Sequence, residues 1–215
     1  MKTELSPELA EFVGIVMGDG YIYLNKGKYL LGIVGHPKKD RAHFKHINDL
    51  IMSLFQHKPT IVTRARGLRL TLYSKQACTL LTKEIGLVHG KGKGENVTIP
   101  QVFLKDDSLL NSLIRGLFDT DGSIFTSNKK GAPDYPTIEL TTTSIRLAEQ
   151  VRDILIKKGF RVANVRRYKS KRSVLDTHKV SLYGHKNMML WREIIGFSNS
   201  YKQERLRRIS GSGVI

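Results

Sequence analysis

The stretch FVGIVMGDG, residues 12–20, joins an apolar helical run to an acidic residue, Asp19, that is followed by glycine. A helix C-terminus carries about −0.5 of an elementary charge, so a carboxylate there is unfavourable by roughly 0.3–1 kcal/mol. The same arrangement returns in IRGLFDTDG, residues 114–122, where Asp121 takes the place of Asp19. An unfavourable charge at the ends of two similar helices predicts that the two carboxylates share a function.

The two stretches belong to a longer internal repeat. LTLYSKQACTLLTKEIG, residues 70–86, resembles VSLYGHKNMMLWREIIG, residues 180–196, and the matched blocks keep their order along the chain. The spacing between them grows slightly, as expected for a duplication followed by loop insertions. The sequence therefore predicts an α+β protein of two pseudo-symmetric halves, 1–104 and 105–215, with a Gly/Lys-rich linker at about 90–107.

Each half is predicted to follow the order α-β-β-α-β-β-α. In the first half, Ser6 and Pro7 give a strong helix start, because a serine cap and a proline at the first position suit a helix N-terminus. The predicted elements are helices at 7–18, 38–56, 75–86, about 108–120, 144–158 and from about 186, and strands at 20–25, 29–35, 60–73 (a pair), 122–127, 137–143, 161–169 and 177–183.

The charge balance points to a polyanionic partner. The chain of 215 residues has 36 Lys and Arg against 19 Asp and Glu, a net charge of +17. Nucleic acid is the first candidate, and an acidic membrane is disfavoured because no basic amphipathic helix with an aromatic face is present. No apolar run is long enough to span a bilayer. The one cysteine, Cys78, cannot form an internal disulfide, so we expect an intracellular, cytoplasmic protein.

The predicted strands carry a second signal for nucleic acid. Apolar and polar residues alternate, so one face of each sheet is buried and the other is exposed. The exposed positions favour basic and hydroxyl side chains, which suits an antiparallel sheet lying in a DNA major groove; an ordinary solvated face is the alternative. The candidate DNA-binding residues are Tyr23, Arg64, Arg66, Arg69, Thr71, Arg166, Lys169, Lys179 and Ser181.

Small residues predict that the two repeated helices pack against each other. Gly14 and Gly18 are spaced i, i+4, and Gly116 and Thr120 take the matching positions. Such packing would bring the carboxylates together, where they would repel unless a divalent cation lay between them. Carboxylate and free helix-end carbonyl oxygens suit Mg²⁺, for which Mn²⁺ could substitute. The alternative is that Asp-Gly only makes a turn after each helix.

FVGIVMGDG and IRGLFDTDG resemble the two copies of the LAGLIDADG motif, and nearly the whole chain resembles a single-chain LAGLIDADG homing endonuclease of the archaeal, intron-encoded type. The resemblance implies motif helices at the interface of the halves and two sheets that form a saddle over a long, partly palindromic DNA site. It also implies cleavage of both strands across the minor groove. Carried over, it assigns the metal to Asp19 and Asp121, helped by the carbonyls of Gly18 and Thr120.

The resemblance suggests further catalytic residues and also shows departures. The first acidic position of the motif is Met17 in one copy and Asp119 in the other, and we expect Asp119 to cap or pack rather than to bind metal. A lysine after the fourth strand of each half implies Lys75, and His185 or Lys186, near the active site. A polar residue that orients water at the end of the second strand implies His36, and Thr142 or Thr143. The alternatives are a plain loop histidine for His36 and a surface lysine at a helix start for Lys75.

The expected activity is metal-assisted hydrolysis of DNA by a monomer that promotes intron mobility. No activated nucleophile is expected, since Cys78 lies in an apolar helical pattern. The main alternative is a protein of the same fold that binds without cutting, either an intron RNA maturase, whose partner would be its own intron RNA, or a transcription regulator. An intein-embedded nuclease is a third possibility, disfavoured by the absence of splicing signals. The basic tail YKQERLRR, residues 201–208, is predicted either to touch phosphates or to be a solvated helix.

Overall fold

The computed structural model describes residues 4–64, 67–129, 131–169 and 175–211. Over these residues the chain folds into two four-stranded antiparallel sheets and eight α-helices, which confirms the predicted α+β class. The strand orders, β1-β2-β4-β3 and β5-β6-β8-β7, are the same in both sheets. The internal repeat of the sequence is therefore a repeat of topology. None of the helices within these ranges is long and apolar enough to cross a bilayer.

The first sheet and its helices come from the N-terminal part of the chain. The elements are α1 (Pro7–Met17), β1 (Gly20–Asn25), β2 (Lys28–Gly35), α2 (Arg41–Phe55), β3 (Thr60–Arg64), β4 (Gly67–Tyr73) and α3 (Lys75–Thr79), which continues as a π-helical turn over Leu80–Glu84. As the sequence predicts, the Ser6 hydroxyl accepts the Leu9 N–H at 3.2 Å and so caps α1.

The second sheet follows a compact connection. The connection holds α4 (Lys93–Asn96) and a 3-10 turn (Gln101–Phe103). The later elements are α5 (Asp107–Thr120), β5 (Gly122–Lys129), β6 (Ala132–Thr142), α6 (Ile145–Lys157), β7 (Arg166–Tyr168), β8 (Thr177–Tyr183), α7 (His185–Ile194) and α8 (Ser200–Gly211). The segment predicted as a linker is packed rather than extended, because Val97, Ile99 and Phe103 are buried.

The helices α1 and α5 cross at the centre of the molecule. All residues of α1 from Leu9 to Met17 are buried, so this helix is enclosed on every side. The backbones approach closely at two glycines. An ideal Cβ at Gly14 would lie 2.1 Å from the Leu113 carbonyl oxygen, and one at Gly116 would lie 2.1 Å from the Glu11 carbonyl oxygen. Only glycine fits at either position without moving a helix.

Three elements differ from the sequence-based expectation by three residues or more at one boundary. The helix predicted from residue 38 begins at Arg41, because residues 36–40 form a turn in which the His36 N–H donates to the Asp40 carboxylate at 2.7 Å. The strand predicted at 161–169 is reduced to Arg166–Tyr168 and a single bridge at Val162. The strand β6 begins at Ala132 because it forms a long hairpin with β5, with an irregularity between Ser127 and Lys129.

Candidate metal and DNA site

The C-terminal ends of α1 and α5 meet, and this meeting point forms the candidate site. An ideal Cβ at Gly18 would lie 2.1 Å from the Thr120 hydroxyl oxygen and 3.3 Å from the Asp121 carboxyl carbon. Gly18 therefore leaves the space that the end of α5 occupies. The structure thus places Gly18, Asp19, Thr120 and Asp121 in one cluster.

The electrostatics of the two carboxylates suit a cation. Burial raises the pKa of Asp19 to about 6, with the charge of Asp40 adding to the effect. Burial and the charge of Asp19 raise the pKa of Asp121 to about 7. Within the described part of the chain, no hydrogen bond to either carboxylate lowers these values. A partly buried pair of acids without hydrogen-bond donors is costly in its ionised form, and a cation would lower that cost.

Two lysines that the sequence reasoning missed hold the ends of the motif helices. The Lys93 ammonium, from α4, donates to the carbonyls of Val16 at 2.7 Å and Gly18 at 3.2 Å, and to that of Gly20. Positive charge at a helix C-terminus offsets the helix dipole. Burial lowers the pKa of Lys93 to about 8, although the charges of Asp121 and Asp19 oppose this shift.

Lys202, from α8, does the same for the second motif. Its ammonium donates to the carbonyls of Phe118 and Asp119 at 2.8 Å each and of Thr120 at 3.1 Å, and to that of Gly122. Burial lowers the pKa of Lys202, opposed by the surrounding aspartates. The carbonyls of Gly18 and Thr120 were predicted as metal ligands, and each already accepts a hydrogen bond from a lysine ammonium group. Each carbonyl oxygen has a second lone pair that could still bind a cation.

Asp119 fastens α8 to the end of α5. Its carboxylate is 2% exposed and accepts the backbone N–H groups of Ser198 at 2.9 Å and Asn199 at 3.0 Å. The Asn199 side chain also donates to the Asp40 carboxylate at 3.2 Å. Asp119 thus positions the helix that carries Lys202. Met17, at the matching position of the first motif, is buried in the core.

The strand register places the predicted catalytic lysines away from the carboxylates. The Val34 N–H donates to the Asp19 carbonyl at 3.2 Å, whereas Lys75 lies over the Tyr29 ring, 5.8 Å from its centroid. Five residues of β2 separate these points, or about 17 Å at 3.3 Å per residue. The prediction that Lys75 lies near the active site is wrong, because the end of β4 that precedes it pairs with the far end of β2.

Lys186 is displaced in the same way. It follows Tyr183, which pairs with Thr137, whereas Gly122, next to Asp121, pairs with Leu140. Lys186 is also exposed at the start of α7. The second half therefore repeats the geometry of the first, and neither predicted lysine joins the cluster.

The residues predicted to orient water differ between the two halves in where they lie. The ring Nδ1 of His36 accepts the backbone N–H groups of Lys38 and Lys39 at 3.2 Å, so this histidine orders the turn before α2. In the second half, Thr142 and Thr143 line a cavity of about 390 Å³ that also contains Asp121 and Lys93. Asp121 and these two threonines therefore border the same cavity.

The candidate DNA-binding residues divide by exposure. Tyr23 is 49% exposed, and exposed or partly exposed positions are also held by Arg64, Arg69, Thr71, Arg166, Lys169 and Lys179. Ser181 is only 1% exposed because its hydroxyl donates to Glu139 at 2.8 Å, so its prediction as a surface contact is wrong. Lys179 is bound to the same carboxylate at 2.6 Å. Arg66 lies outside the described residues.

The residues at the site fit a hard divalent cation that is shared with a substrate. Among the described residues, no group of three or more His, Cys, Asp or Glu side chains is arranged to hold a metal alone. Mg²⁺ usually binds proteins through one or two carboxylates and completes its shell with water and substrate phosphates. Asp19 and Asp121 are partly buried and have no hydrogen-bond donors within the described residues, so they match that pattern.

Comparison with solved structures agrees with this architecture. A crystal structure of I-DmoI in complex with DNA and Mn matches with a TM-score of 0.64 and 16% identity over 89% of this chain and 97% of that chain. The N-terminal LAGLIDADG domain of DUF199/WhiA matches with a TM-score of 0.57 and 16% identity over 93% of this chain and 88% of that chain. A family model described as a LAGLIDADG-like domain matches residues 108–196. The chain therefore has the LAGLIDADG fold.

Two curated proteins of Methanocaldococcus jannaschii are similar in sequence. One is a replication factor C small subunit, 26% identical over 208 residues, and the other is a glutamine–fructose-6-phosphate aminotransferase, 24% identical over 205 residues. The matches cover 97% and 95% of this chain but only 10% and 17% of those proteins.

Proposed function

We propose that the protein is a site-specific DNA endonuclease of the homing type, which cuts both strands of a duplex by divalent-metal-assisted hydrolysis. The observation that carries this proposal is the pair of partly buried carboxylates, Asp19 and Asp121, at the ends of two crossing helices in a chain of net charge +17. The fold similarity to the homing endonuclease I-DmoI, solved with DNA and Mn and with DNA and Ca, supports it.

Each residue of the site has a distinct role in this proposal. Asp19 and Asp121 hold Mg²⁺, with Mn²⁺ as a substitute, and the bound metal would polarise the phosphate and lower the pKa of water. Lys93 and Lys202 fix the ends of the motif helices and add positive charge where the phosphate would lie. Thr142 and Thr143 bound the cavity through which water reaches Asp121. Cys78 is no nucleophile, because burial raises the pKa of its thiol to about 11.

The two sheets provide the recognition surface. Because both sheets have the same strand order, the partner would be a long duplex with a partly palindromic sequence, bound by a monomer. Base contacts would come from exposed strand positions such as Tyr23, Arg69 and Thr71, and phosphate contacts from Arg64, Arg166 and Lys169. Affinity would fall steeply as salt rises, since lysine and arginine contacts release counterions.

The sequence relatives support a mobile element. The replication factor and the aminotransferase are named for different functions. Each nevertheless resembles nearly the whole length of this chain, and the resemblance occupies only a small part of the relative. A segment found in unrelated proteins of one organism suits a coding sequence that moves between sites. We therefore propose a role in mobility, intron-encoded and archaeal in type, in a prokaryotic cytoplasm.

Binding without cleavage is the second candidate, because the fold is also that of the LAGLIDADG domain of WhiA. In that case the chain would act as a regulator on DNA or as a maturase on its own intron RNA. The two candidates differ in the need for both carboxylates. Cleavage needs a cation between Asp19 and Asp121, whereas binding would improve if either negative charge were removed.

The test is cleavage of a plasmid that carries the uninterrupted sequence expected at the insertion point of the gene, in Mg²⁺ or Mn²⁺. We expect the native protein to make the plasmid linear, and Asp19→Asn and Asp121→Asn to lose double-strand cleavage while binding DNA at least as tightly. Glu95→Gln, which removes an exposed carboxylate of α4, is the matched control and should cut normally. Undiminished cutting by both aspartate variants would refute the site, and binding without cutting by the native protein would favour the second candidate.

A further inference from the structure

A basic groove lies beside the candidate site and uses none of its residues. It is a cavity of about 700 Å³ between the turn that leads into α2 and the first turns of α8. We call it the α2–α8 groove, and its cationic lining includes Lys38, Lys39, Arg41, Lys45 and Arg205. The groove is formed by helices and a turn, so its positive charge does not belong to the sheet faces that we propose to bind DNA.

The groove has an organised centre at Tyr201. This side chain is 40% exposed. The Lys39 ammonium lies 5.6 Å from the centroid of the ring, and the Arg205 guanidinium lies 5.8 Å from it. Arg205 also donates to the Tyr201 hydroxyl at 3.3 Å. One ring thus holds two cations on facing walls, and a tyrosine hydroxyl is itself a common partner of phosphate.

Most of the cations that line the groove have no acidic partner within the described residues. Of the described residues that line it, Glu204 is the one acid, and its carboxylate is bound by Arg207 at 2.9 Å and by Arg208 at 2.7 Å. Within the described residues, Lys38, Lys39, Arg41 and Lys45 form no salt bridge. Unpaired cations at this density favour an anionic partner.

The groove is continuous with the site, which identifies the partner. Tyr201 and Lys202 are consecutive in α8, and Lys202 reaches the carbonyls at the end of α5. On the other wall, Lys38 and Lys39 precede Asp40, whose carboxylate accepts a hydrogen bond from Asn199. A strand bound at Asp19 and Asp121 would therefore leave the site next to the groove. We propose that the α2–α8 groove binds the phosphate backbone of duplex DNA that extends from the cut site, an inference that rests on the proposed function.

The test measures salt dependence rather than affinity alone. Binding of a fluorescent random-sequence 30-base-pair duplex is followed by anisotropy without divalent metal, from low to moderate NaCl. Because log K falls with log salt with a slope of about −0.9 per phosphate contact, the double variant Lys39→Gln, Arg205→Gln should make this negative slope shallower by about 1.8. The control is Lys105→Gln, Lys157→Gln, which removes two exposed cations that lie outside the groove and should leave the slope unchanged.

Tyrosine variants and a second probe complete the test. Tyr201→Phe should retain more of the native slope than Tyr201→Leu, because the ring that orders Lys39 and Arg205 is kept. Equal slopes for the groove variant, the control variant and the native protein would overturn the inference while leaving the cleavage proposal intact. The second probe is single-stranded RNA, measured over the same salt range. If the groove variant changed the slope with this RNA but not with the DNA duplex, the inference would also be overturned. If the native protein bound no duplex at all, the proposed function itself would fail.

Discussion

The tightest test of the architecture is Gly116→Ala in α5. The added Cβ would lie 2.1 Å from the Glu11 carbonyl oxygen, whereas real Cβ atoms essentially never come within 3.0 Å of another heavy atom. The helices must therefore separate by at least about 0.9 Å. A gap of that size forfeits a quarter to a half of the dispersion energy of the atoms that face it, and overpacking typically costs about 1–3 kcal/mol. We expect a loss of about 3 kcal/mol, because the atoms that the added Cβ meets, the carbonyl group of Glu11 and the nitrogen of Ile15, all belong to backbone.

The same displacement acts on the candidate site, since α5 carries Asp121 at its end. A misplacement of about 1 Å in a reacting group costs on the order of 100-fold in rate, so cleavage should fall by that factor. The assays are urea unfolding and plasmid cleavage. Gly211→Ala, where an ideal Cβ meets nothing within 4 Å, is the control and should leave both quantities nearly unchanged. A free energy of unfolding for Gly116→Ala within 0.5 kcal/mol of the native value would refute the close crossing.

Two further perturbations test the electrostatics. Lys202→Met should lower the free energy of unfolding by about 3 kcal/mol, because it leaves the surrounding aspartates and the helix-end carbonyls without their cation. Urea unfolding measures this loss. A change no larger than that of Lys157→Met would contradict the prediction. The His46–Glu11 pair, at 2.6 Å, should stabilise mainly between about pH 4.5 and 6.5. The hydrogen bond to Glu11 raises the pKa of His46, so the stabilisation from the pair is lost as pH rises through that raised value. The Tm difference between the native protein and His46→Gln should therefore shrink from pH 5.5 to pH 9. A Tm difference that stayed constant would count against the pair.

The sequence was sufficient for the parts of the fold that depend on local pattern. The Asp-Gly repeat, the i, i+4 spacing of Gly14 and Gly18 and the alternation of the strands are periodic or duplicated signals, and they predict the repeated order of helices and strands. The glycine spacing was the most informative of these, because a helix with small residues on one face can approach another backbone closely. The cluster of Asp19 with Asp121 is a direct consequence of that approach.

Long-range partners could not be predicted in this way. Lys93 lies in a Gly/Lys-rich segment and Lys202 in a basic tail, and both compositions suggest solvated chain. Each lysine acts on carbonyls that are more than 70 residues away in sequence. Lys75 was misplaced for a related reason, since its distance from Asp19 depends on which end of β2 pairs with the end of β4. No local pattern contains that register.

The partly buried lysines Lys93 and Lys202 explain how the fold tolerates the two carboxylates of the candidate site. Asp19 and Asp121 end helices whose dipoles already repel them, and burial raises the pKa of both. A metal can relieve this repulsion only while it is bound. Lys93 and Lys202 relieve it permanently, because each ammonium binds the terminal carbonyls of one motif helix and lies within electrostatic reach of both carboxylates. Each motif thus carries its own fixed counter-charge, which leaves the carboxylate oxygens available for the cation that we propose.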